Sequence, residues 1–231
     1  MKTNRCTRLI NALFVLQILV VVPFAEKVFG QVKTEEQPKT PEQTKTVTQV
    51  KVQAAQVNNF VQRFDDKFLI NLALERNDSE TKQMLFLSNS MGYVAYSIPA
   101  ALMVGGIVRH DSEMRQNALY VGSSAAVTLG VTLLMKTIFK RRRPFVQNLK
   151  IVSVYNVGST SFPSGHTSTS FAVATALSKA YPKWYVIGPS YLWAGSVGYS
   201  RMYLGVHYPS DVFGGALLGT TTSFLLRPAI K

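Results

Sequence analysis

The 231-residue sequence predicts an all-α fold, in which a bundle of about five helices is embedded in a membrane beside one amphipathic helix. Two runs with almost no charged residue support this prediction, at 91–108 and 118–135, because each is close to the ~20 residues that cross a bilayer. Gly and Ser residues within these runs allow close contact between helices. Three further apolar runs of helical length complete the bundle, at 168–180, 184–199 and 212–226.

The composition alone does not separate a soluble from a membrane protein. Hydrophobic residues make up 47% of the chain, and the mean hydropathy is +0.10, so the local distribution decides. The net charge is +13. Since the basic residues flank apolar runs and do not form one face of a polar domain, they favour a membrane or an anionic substrate over nucleic acid. Cys6 is the only cysteine, which precludes an intramolecular disulfide and a cysteine-based metal cluster.

The first 56 residues divide into two segments. Lys2, Arg5 and Arg8 precede an apolar run at 9–25, and this layout predicts a secretory signal peptide over 1–30. An uncleaved N-terminal anchor is the alternative, and in either case the segment that follows is exported. Residues 31–56 are rich in Thr, Gln, Lys and Glu and contain no aromatic residue, so we expect a flexible polar spacer.

An amphipathic helix is predicted next, because apolar residues recur at helical spacing over 57–74 with charged residues between them. This helix could lie in the membrane interface or pack over the bundle. Capping residues at 77–80 then indicate the start of another helix, so 57–80 forms one unit and 81–231 the main domain.

Three polar clusters stand at the ends of apolar segments in the main domain. Their sequences are K-x6-R-P at 136–144, P-S-G-H at 163–166 and S-R-x5-H-x3-D at 200–211. Charged groups in such apolar company are costly unless they bind something. If the chain is outside after its signal segment, alternation of the five helices brings all three clusters to the exported side. The inside links then carry Arg109, Arg115, Lys179 and Lys183, as the positive-inside rule expects.

The clusters contain the groups that phosphoryl transfer requires, namely cations, directed N–H donors, a nucleophile and a proton donor. Lys136 and Arg143 are seven residues apart and would share one helix face if that helix continues to Pro144. Arg201 would join them from the opposite side. Ser164, Gly165 and His166 follow Pro163 at a predicted helix start, where free N–H groups favour phosphate and the glycine lets the backbone approach closely.

The third cluster predicts a histidine paired with a carboxylate. Pro209 suits the first turn of a helix, which places His207 in the preceding loop and Asp211 in that turn. An aspartate there can accept a hydrogen bond from one imidazole nitrogen and leave the other as a nucleophile.

Taken together, the three motifs resemble those of the type 2 phosphatidic acid phosphatase (PAP2) superfamily, whose relatives include vanadium haloperoxidases and class A acid phosphatases. The resemblance implies a PAP2-type helical bundle of the bacterial membrane lipid phosphatase branch. It also implies that His207 forms a phosphohistidine, that Asp211 orients it and that His166 protonates the leaving group. The residues that it implies for phosphate binding are Lys136, Arg143, Ser164, Gly165 and Arg201.

The expected substrate is a phosphate or pyrophosphate on a lipid, such as phosphatidate, phosphatidylglycerophosphate, a polyprenyl pyrophosphate or lipid A. We expect no cofactor and no metal, since no carboxylate cluster is available to hold Mg²⁺. The expected partners are this lipid and the membrane, with no nucleic acid and no obligate protein partner. The expected location is the bacterial inner membrane with the site facing the periplasm.

Three other functions remain open at this point: a soluble periplasmic acid phosphatase, a vanadium haloperoxidase and a non-catalytic protein that binds anionic lipids. The basic run beside the first motif also has a simpler explanation. Lys140, Arg141 and Arg142 are expected to form a juxtamembrane patch that attracts anionic lipids.

Overall fold

The computed structural model describes residues 60–155, 157–158 and 160–230. The predicted signal peptide and spacer, together with 57–59 of the amphipathic helix, lie outside these residues. The described helices are α1 (60–74), α2 (Asp78–Val108), α3 (Ser112–Phe139), α4 (Pro144–Gln147), α5 (Gly165–Ala180), α6 (Trp184–Tyr203) and α7 (Pro209–Ile230). Among the described residues the only β-type pairing is an isolated bridge between Arg142 and Thr160. The predicted all-α fold with five bundle helices is therefore confirmed, with α4 as a short addition.

Side-chain caps determine where the two longest helices begin. The Asn77 side chain accepts a hydrogen bond from the backbone N–H of Glu80 at 2.9 Å, and Asp111 accepts one from Met114 at 3.0 Å. Each cap satisfies one of the N–H groups that the first turn leaves unpaired. The helix start expected at 77–80 is confirmed, and α2 extends from there through the whole apolar run.

Two of the described helices, α2 and α3, are long and apolar enough to cross a membrane. They differ in position, because 11% of the most apolar stretch of α2 is buried in the bundle, against 50% for α3. The exposed side chains of α2 include Phe86, Tyr93 and Tyr96. An apolar face of this extent is stable against lipid and unfavourable against water.

Helix α5 occupies the centre of the bundle and packs very closely against α7. A Cβ atom at Gly219 would lie 2.0 Å from the carbonyl oxygen of Ser168, and one at Gly215 would lie 2.7 Å from that of Ser164. Only glycine leaves room for such an approach of two helices. This packing places the first turn of α5 beside the first turn of α7, where the Ser164 N–H donates to the Asp211 carbonyl oxygen at 3.1 Å.

Helix α1 packs against the same end of the bundle. Leu69 is buried in a cluster with Ile151 and Tyr208, whereas Phe60 and Phe64 remain exposed. Of the two placements expected for the amphipathic helix, the structure thus shows packing over the bundle.

Candidate active site

The three polar clusters lie at one end of the bundle, around the loop that joins α6 to α7. Gly205 turns the chain in this loop with φ of 72°, a conformation that favours glycine, and its Cα faces the Val152 carbonyl so closely that a Cβ would lie 2.8 Å from that oxygen. The turn leads directly to His207, which is 2% exposed. The motifs are thus brought together by helix ends and by loops.

His207 and Asp211 form the predicted pair. The Nδ1 atom of His207 lies 3.5 Å from Asp211 Oδ2, and the Ser161 hydroxyl oxygen lies 3.4 Å from the same nitrogen. Asp211 Oδ2 also accepts from the Ser161 hydroxyl and from the Tyr208 N–H at 2.9 Å. The carboxylate is therefore fixed by several donors, with one oxygen facing the imidazole.

The protonation of His207 follows from its surroundings. Burial lowers the pKa of His207 to about 3, although the neighbouring Asp211 carboxylate opposes this shift. The ring is consequently neutral near pH 7. Its Nε2 atom lies 3.2 Å from Arg143 Nη1, and because a guanidinium can only donate, Nε2 carries the lone pair and Nδ1 the proton. This tautomer directs the lone pair of Nε2 toward Arg143.

Arg143 reaches His207 by a different route from the expected one. Helix α3 ends at Phe139 and does not continue to Pro144, since Lys140 adopts a left-handed conformation with φ of 45°. Arg143 is extended, with φ of −74° and ψ of 156°, because a residue before proline is disfavoured in the α region. Lys136 and Arg143 therefore do not share one helix face, and that expectation was wrong.

The loop conformation nevertheless directs Arg143 into the site. Its guanidinium donates to the Val206 carbonyl at 2.7 Å and to the Gly158 carbonyl. Burial, followed by the field of Arg201, lowers the pKa of Arg143 to about 10. Arg143 thus remains a cation near pH 7 and is held rigidly beside Nε2 of His207.

Lys136, in the last turn of α3, contacts the backbone at 160–161, just before the second motif. Its ammonium group donates to the carbonyl oxygens of Thr160 at 3.0 Å and Ser161 at 3.2 Å. An ammonium group has three N–H donors, so one of them has no acceptor among the described residues and is available to a ligand. Lys136 therefore combines a structural contact with a charge close to the site.

Arg201 lies in the last turn of α6 and is 2% exposed. It donates to the hydroxyl of Ser88 in α2 and to the hydroxyl of Tyr155. Its Nε–H has no hydrogen-bond partner among the described residues. A buried donor without a partner is unfavourable, and an anion bound in the site would satisfy it.

The second motif forms the N-terminus of α5, as predicted, with Ser164 as the N-cap residue. The Ser164 hydroxyl accepts from Thr167 at 2.9 Å. A Cβ at Gly165 would meet only Thr132, at an ordinary 3.7 Å, so the packing of the protein itself does not demand glycine there. The side chain of His166 makes no hydrogen bond with the described residues, and the charges of Arg201, Arg143 and Lys136 act on it.

His166 also lines an open cavity of about 760 Å³. The other lining residues all belong to one stretch of α2: Asn89, Met91, Gly92, Tyr93, Tyr96, Ser97 and Ala100. The cavity therefore extends from the candidate site along the helix that exposes most of its apolar surface.

Arg141 was misassigned from the sequence. Its guanidinium is buried and lies 2.9 Å from Asp65 Oδ2 and 2.6 Å from Asp211 Oδ1, so it is not part of a lipid-facing patch. Lys140 and Arg142 are exposed, as expected. Charge alone could not distinguish these three neighbours, because burial of a cation depends on where its anionic partners lie.

Asp65, Ser161 and Tyr155 were also missed. A signal existed for Asp65, which lies four residues before Leu69 and seven before Leu72, on the buried stripe of α1. An acid on an apolar stripe indicates a buried partner. No comparable signal marks Ser161 or Tyr155.

Comparison with known proteins reveals a family match over the C-terminal half. A model described as the PAP2 superfamily matches residues 117–230. The putative undecaprenyl-diphosphatase YbjG of Escherichia coli (strain K12) is 30% identical over 143 residues, which cover 58% of this chain and 66% of that protein. The undecaprenyl-diphosphatase BcrC of Bacillus subtilis (strain 168) is 27% identical over 154 residues, with coverages of 66% and 76%.

The fold has a match among solved structures. The chain resembles a transmembrane PAP2-type phosphatidylglycerolphosphate phosphatase from Bacillus subtilis with a TM-score of 0.63 and 20% identity, covering 94% of this chain and 93% of the other. At this identity the likeness concerns the fold. It confirms the predicted helical bundle, and together with the two apolar helices it indicates a membrane protein.

Proposed function

Because this chain belongs to the PAP2 superfamily, we propose that it removes a phosphate group from a membrane lipid phosphate or pyrophosphate through a phosphohistidine at His207. The motifs predicted both the family and the enzyme class, a PAP2-type phosphatase, and the family match confirms them. The roles of individual residues, the substrate and the orientation in the membrane belong to the proposal.

In the proposed first step, Nε2 of His207 attacks the phosphorus atom while the bond to the leaving oxygen breaks. His166, which enters the step as an imidazolium, donates a proton to that oxygen and becomes neutral. The anionic substrate favours this protonated form against the nearby cations. Asp211 stabilises the charge that develops on the His207 imidazole by accepting from Nδ1–H. In the second step water attacks the phosphohistidine, and His166 accepts a proton from this water. The P–N bond breaks, phosphate leaves and Nε2 regains its lone pair.

The cations and the helix N-terminus would stabilise the transferring group. Arg143 and Arg201 approach it with charged N–H groups, and Lys136 adds a third positive charge. Ser164 and Gly165 supply backbone N–H groups at the start of α5. Preorganised donors of this kind stabilise the charge on the equatorial oxygens without reorganisation. The observation that carries this proposal is the neutral, buried His207 with Nε2 3.2 Å from Arg143.

The cavity favours a lipid as the bearer of the phosphate. Its lining on α2 runs from Asn89 to Ala100, which at 1.5 Å per residue corresponds to about 16 Å along the helix axis. A headgroup at His166 could therefore extend its chain along exposed apolar surface. Among the expected lipids we place a polyprenyl pyrophosphate first, because two of the relatives are named undecaprenyl-diphosphatases.

We further propose that the site faces the periplasm across the bacterial inner membrane. Arg109 lies in the link between α2 and α3, and Arg115 lies in the first turn of α3. Lys179 lies in the last turn of α5, and Lys183 is the N-cap residue of α6. Both links lie at the end of the bundle opposite the candidate site, if α2, α3, α5 and α6 alternate in direction. Positive residues favour the cytoplasmic side.

The experiment is phosphate release by detergent-purified protein in excess EDTA. The substrates are a polyprenyl pyrophosphate, phosphatidate, phosphatidylglycerophosphate, lipid A and a small soluble phosphate ester. We expect turnover of one lipid in preference to the ester, and loss of turnover in His207→Asn. His110→Asn is the matched control, since His110 is exposed in the link between α2 and α3.

Three outcomes would contradict the proposal. Phosphate release by His207→Asn at the wild-type rate would remove the phosphohistidine mechanism. Activity that is lost in EDTA and restored by Mg²⁺ would contradict phosphate binding by lysine and arginine side chains without a metal ion. Equal or faster turnover of the soluble ester would identify an acid phosphatase without lipid specificity.

A further inference from the structure

A buried carboxylate from α1 contacts the loop that carries the candidate active site. The Asp65 side chain is 1% exposed. Its Oδ1 accepts from the Ser210 N–H at 3.1 Å, and its Oδ2 accepts from the Ser210 hydroxyl and from Arg141. Helix α1 lies outside the segment 117–230 that the family model matches. The family match therefore does not include Asp65.

Arg141 connects this carboxylate to the catalytic pair. One of its terminal nitrogens, Nη2, donates to Asp65 at 2.9 Å, while the other, Nη1, donates to Asp211 Oδ1 at 2.6 Å. The guanidinium also stacks on the Tyr208 ring, 3.9 Å from its centroid. The planar fork of arginine can bridge two carboxylates in this way, which a lysine could not do with the same geometry.

We propose that Asp65 is a positioning residue for the His207–Asp211 pair and acts on it through Arg141. This inference rests on the proposed function, because it assumes that His207 is the nucleophile. The described contacts of Asp65 are with Ser210 and Arg141 and not with His207.

The first physical reason is the distribution of charge. Asp211 has to attract the Nδ1–H of His207 with one oxygen while its other oxygen accepts from Arg141. With Asp65 present, the positive charge of Arg141 is shared between two carboxylates. Without Asp65, the positive charge of Arg141 would offset more of the negative charge of Asp211. Asp211 would then stabilise a positively charged His207 imidazole less well.

The second reason is the position of Asp211 in the first turn of α7. Asp65 accepts the backbone N–H of Ser210, one of the N–H groups that a helix start leaves unpaired. Asp211 follows Ser210 directly, so loss of this cap would loosen the turn that holds the catalytic carboxylate. Both effects act on the chemical step and leave the phosphate-binding groups in place.

The test compares Asp65→Asn with Asp78→Asn, a matched control whose side chain is exposed in the first turn of α2. For Asp65→Asn we expect a loss in kcat of about tenfold or more, in the range seen for outer partners of catalytic metal ligands. KM should stay within about twofold, since no substrate contact is removed. Asp78→Asn should behave like wild type, and Asp65→Glu should recover most of the lost kcat.

A double-mutant cycle determines whether Arg141 transmits the effect. In an Arg141→Gln background, the additional loss caused by Asp65→Asn should shrink to about threefold or less, because coupled residues are not additive. A full tenfold loss in that background would overturn the route through Arg141. An unchanged kcat in Asp65→Asn alone would overturn the role of Asp65.

A folding defect and a failure of the proposed function give different results from a failure of the positioning role of Asp65. If Asp65→Asn does not fold, Asp65→Ser takes its place, because a hydroxyl can still accept from Ser210. If neither folds, Asp65 is a structural residue and the inference is wrong. An inactive wild-type protein, or an active His207→Asn variant, would refute the proposed function. A wild-type-like Asp65→Asn beside an inactive His207→Asn would refute only the inference.

Discussion

Replacement of Arg143 by alanine is the most informative single change in the candidate site. The side chain is 7% exposed, it lies 3.2 Å from Nε2 of His207, and carbonyl oxygens of Val206 and Gly158 fix its direction. A charge held rigidly and away from water acts more strongly than an exposed one. Arg143→Ala removes this charge from the position where the phosphate oxygens would be bound.

The expected magnitude follows from the loss of one preorganised donor. Removal of such a donor from an anion-stabilising site raises the activation free energy by about 2.7–4 kcal/mol, or about 100- to 1000-fold in rate. The buried, charged state of Arg143 favours the upper part of this range. Arg143→Lys keeps the charge but loses the fixed fork, so we expect it to recover only part of the lost rate.

The assay is kcat/KM for phosphate release from the preferred lipid, with the melting temperature recorded for each variant. Arg142→Ala is the matched control, because Arg142 is the adjacent arginine, is exposed and bridges Thr160 through its backbone. We expect it to remain within about twofold of wild type. A value for Arg143→Ala within about threefold of wild type, at an unchanged melting temperature, would refute the role of Arg143.

Three further outcomes are expected. Arg201→Ala should also lower kcat/KM by about 100-fold or more, and a near-wild-type rate would place Arg201 outside the site. Gly219→Ala should lower the melting temperature by about 5 °C or more, because the new Cβ would clash with the Ser168 carbonyl oxygen. Gly195→Ala is the control and should not lower it, since a Cβ there has no neighbour within 4 Å. Equal shifts in the two variants would contradict the close packing of α5 and α7. Because the pKa of His207 is lowered, the unfolded chain binds a proton below about pH 6.5, whereas the folded chain binds it only near pH 3. The free energy of unfolding therefore decreases as the pH is lowered from about 6.5 to about 3. His207→Asn should therefore lose less stability than wild type between pH 7 and pH 5, and an equal loss in thermal unfolding would contradict the neutral, buried imidazole.

The sequence by itself determined the helices and the motifs whose members are close together in the chain. Apolar runs of span length predict α2 and α3, and a local cap predicts where α2 begins. Pro209 predicts that Asp211 lies in the first turn of α7 and His207 just before it, and the structure has both residues in these positions. These features depend on contacts within a few residues, and local contacts are the ones that spacing encodes.

The route of Arg143 could have been predicted from the sequence as well. Pro144 disfavours a helical conformation at Arg143, so the helix that contains Lys136 was bound to end earlier. The continuous helix face was the weaker expectation, and the local rule against it was available.

Only the tertiary structure decided which charges are buried together. Arg141 contacts Asp65 and Asp211, from which it is separated by 76 and 70 residues, and no local pattern relates positions so far apart. A cation beside an apolar helix end can bind lipid headgroups or a buried carboxylate, and its sequence neighbours are the same in both cases. The packing of α1 against the first turn of α7 brings Asp65 and Asp211 to Arg141. These two carboxylates determine that the cation is buried in an ion pair and does not face lipid.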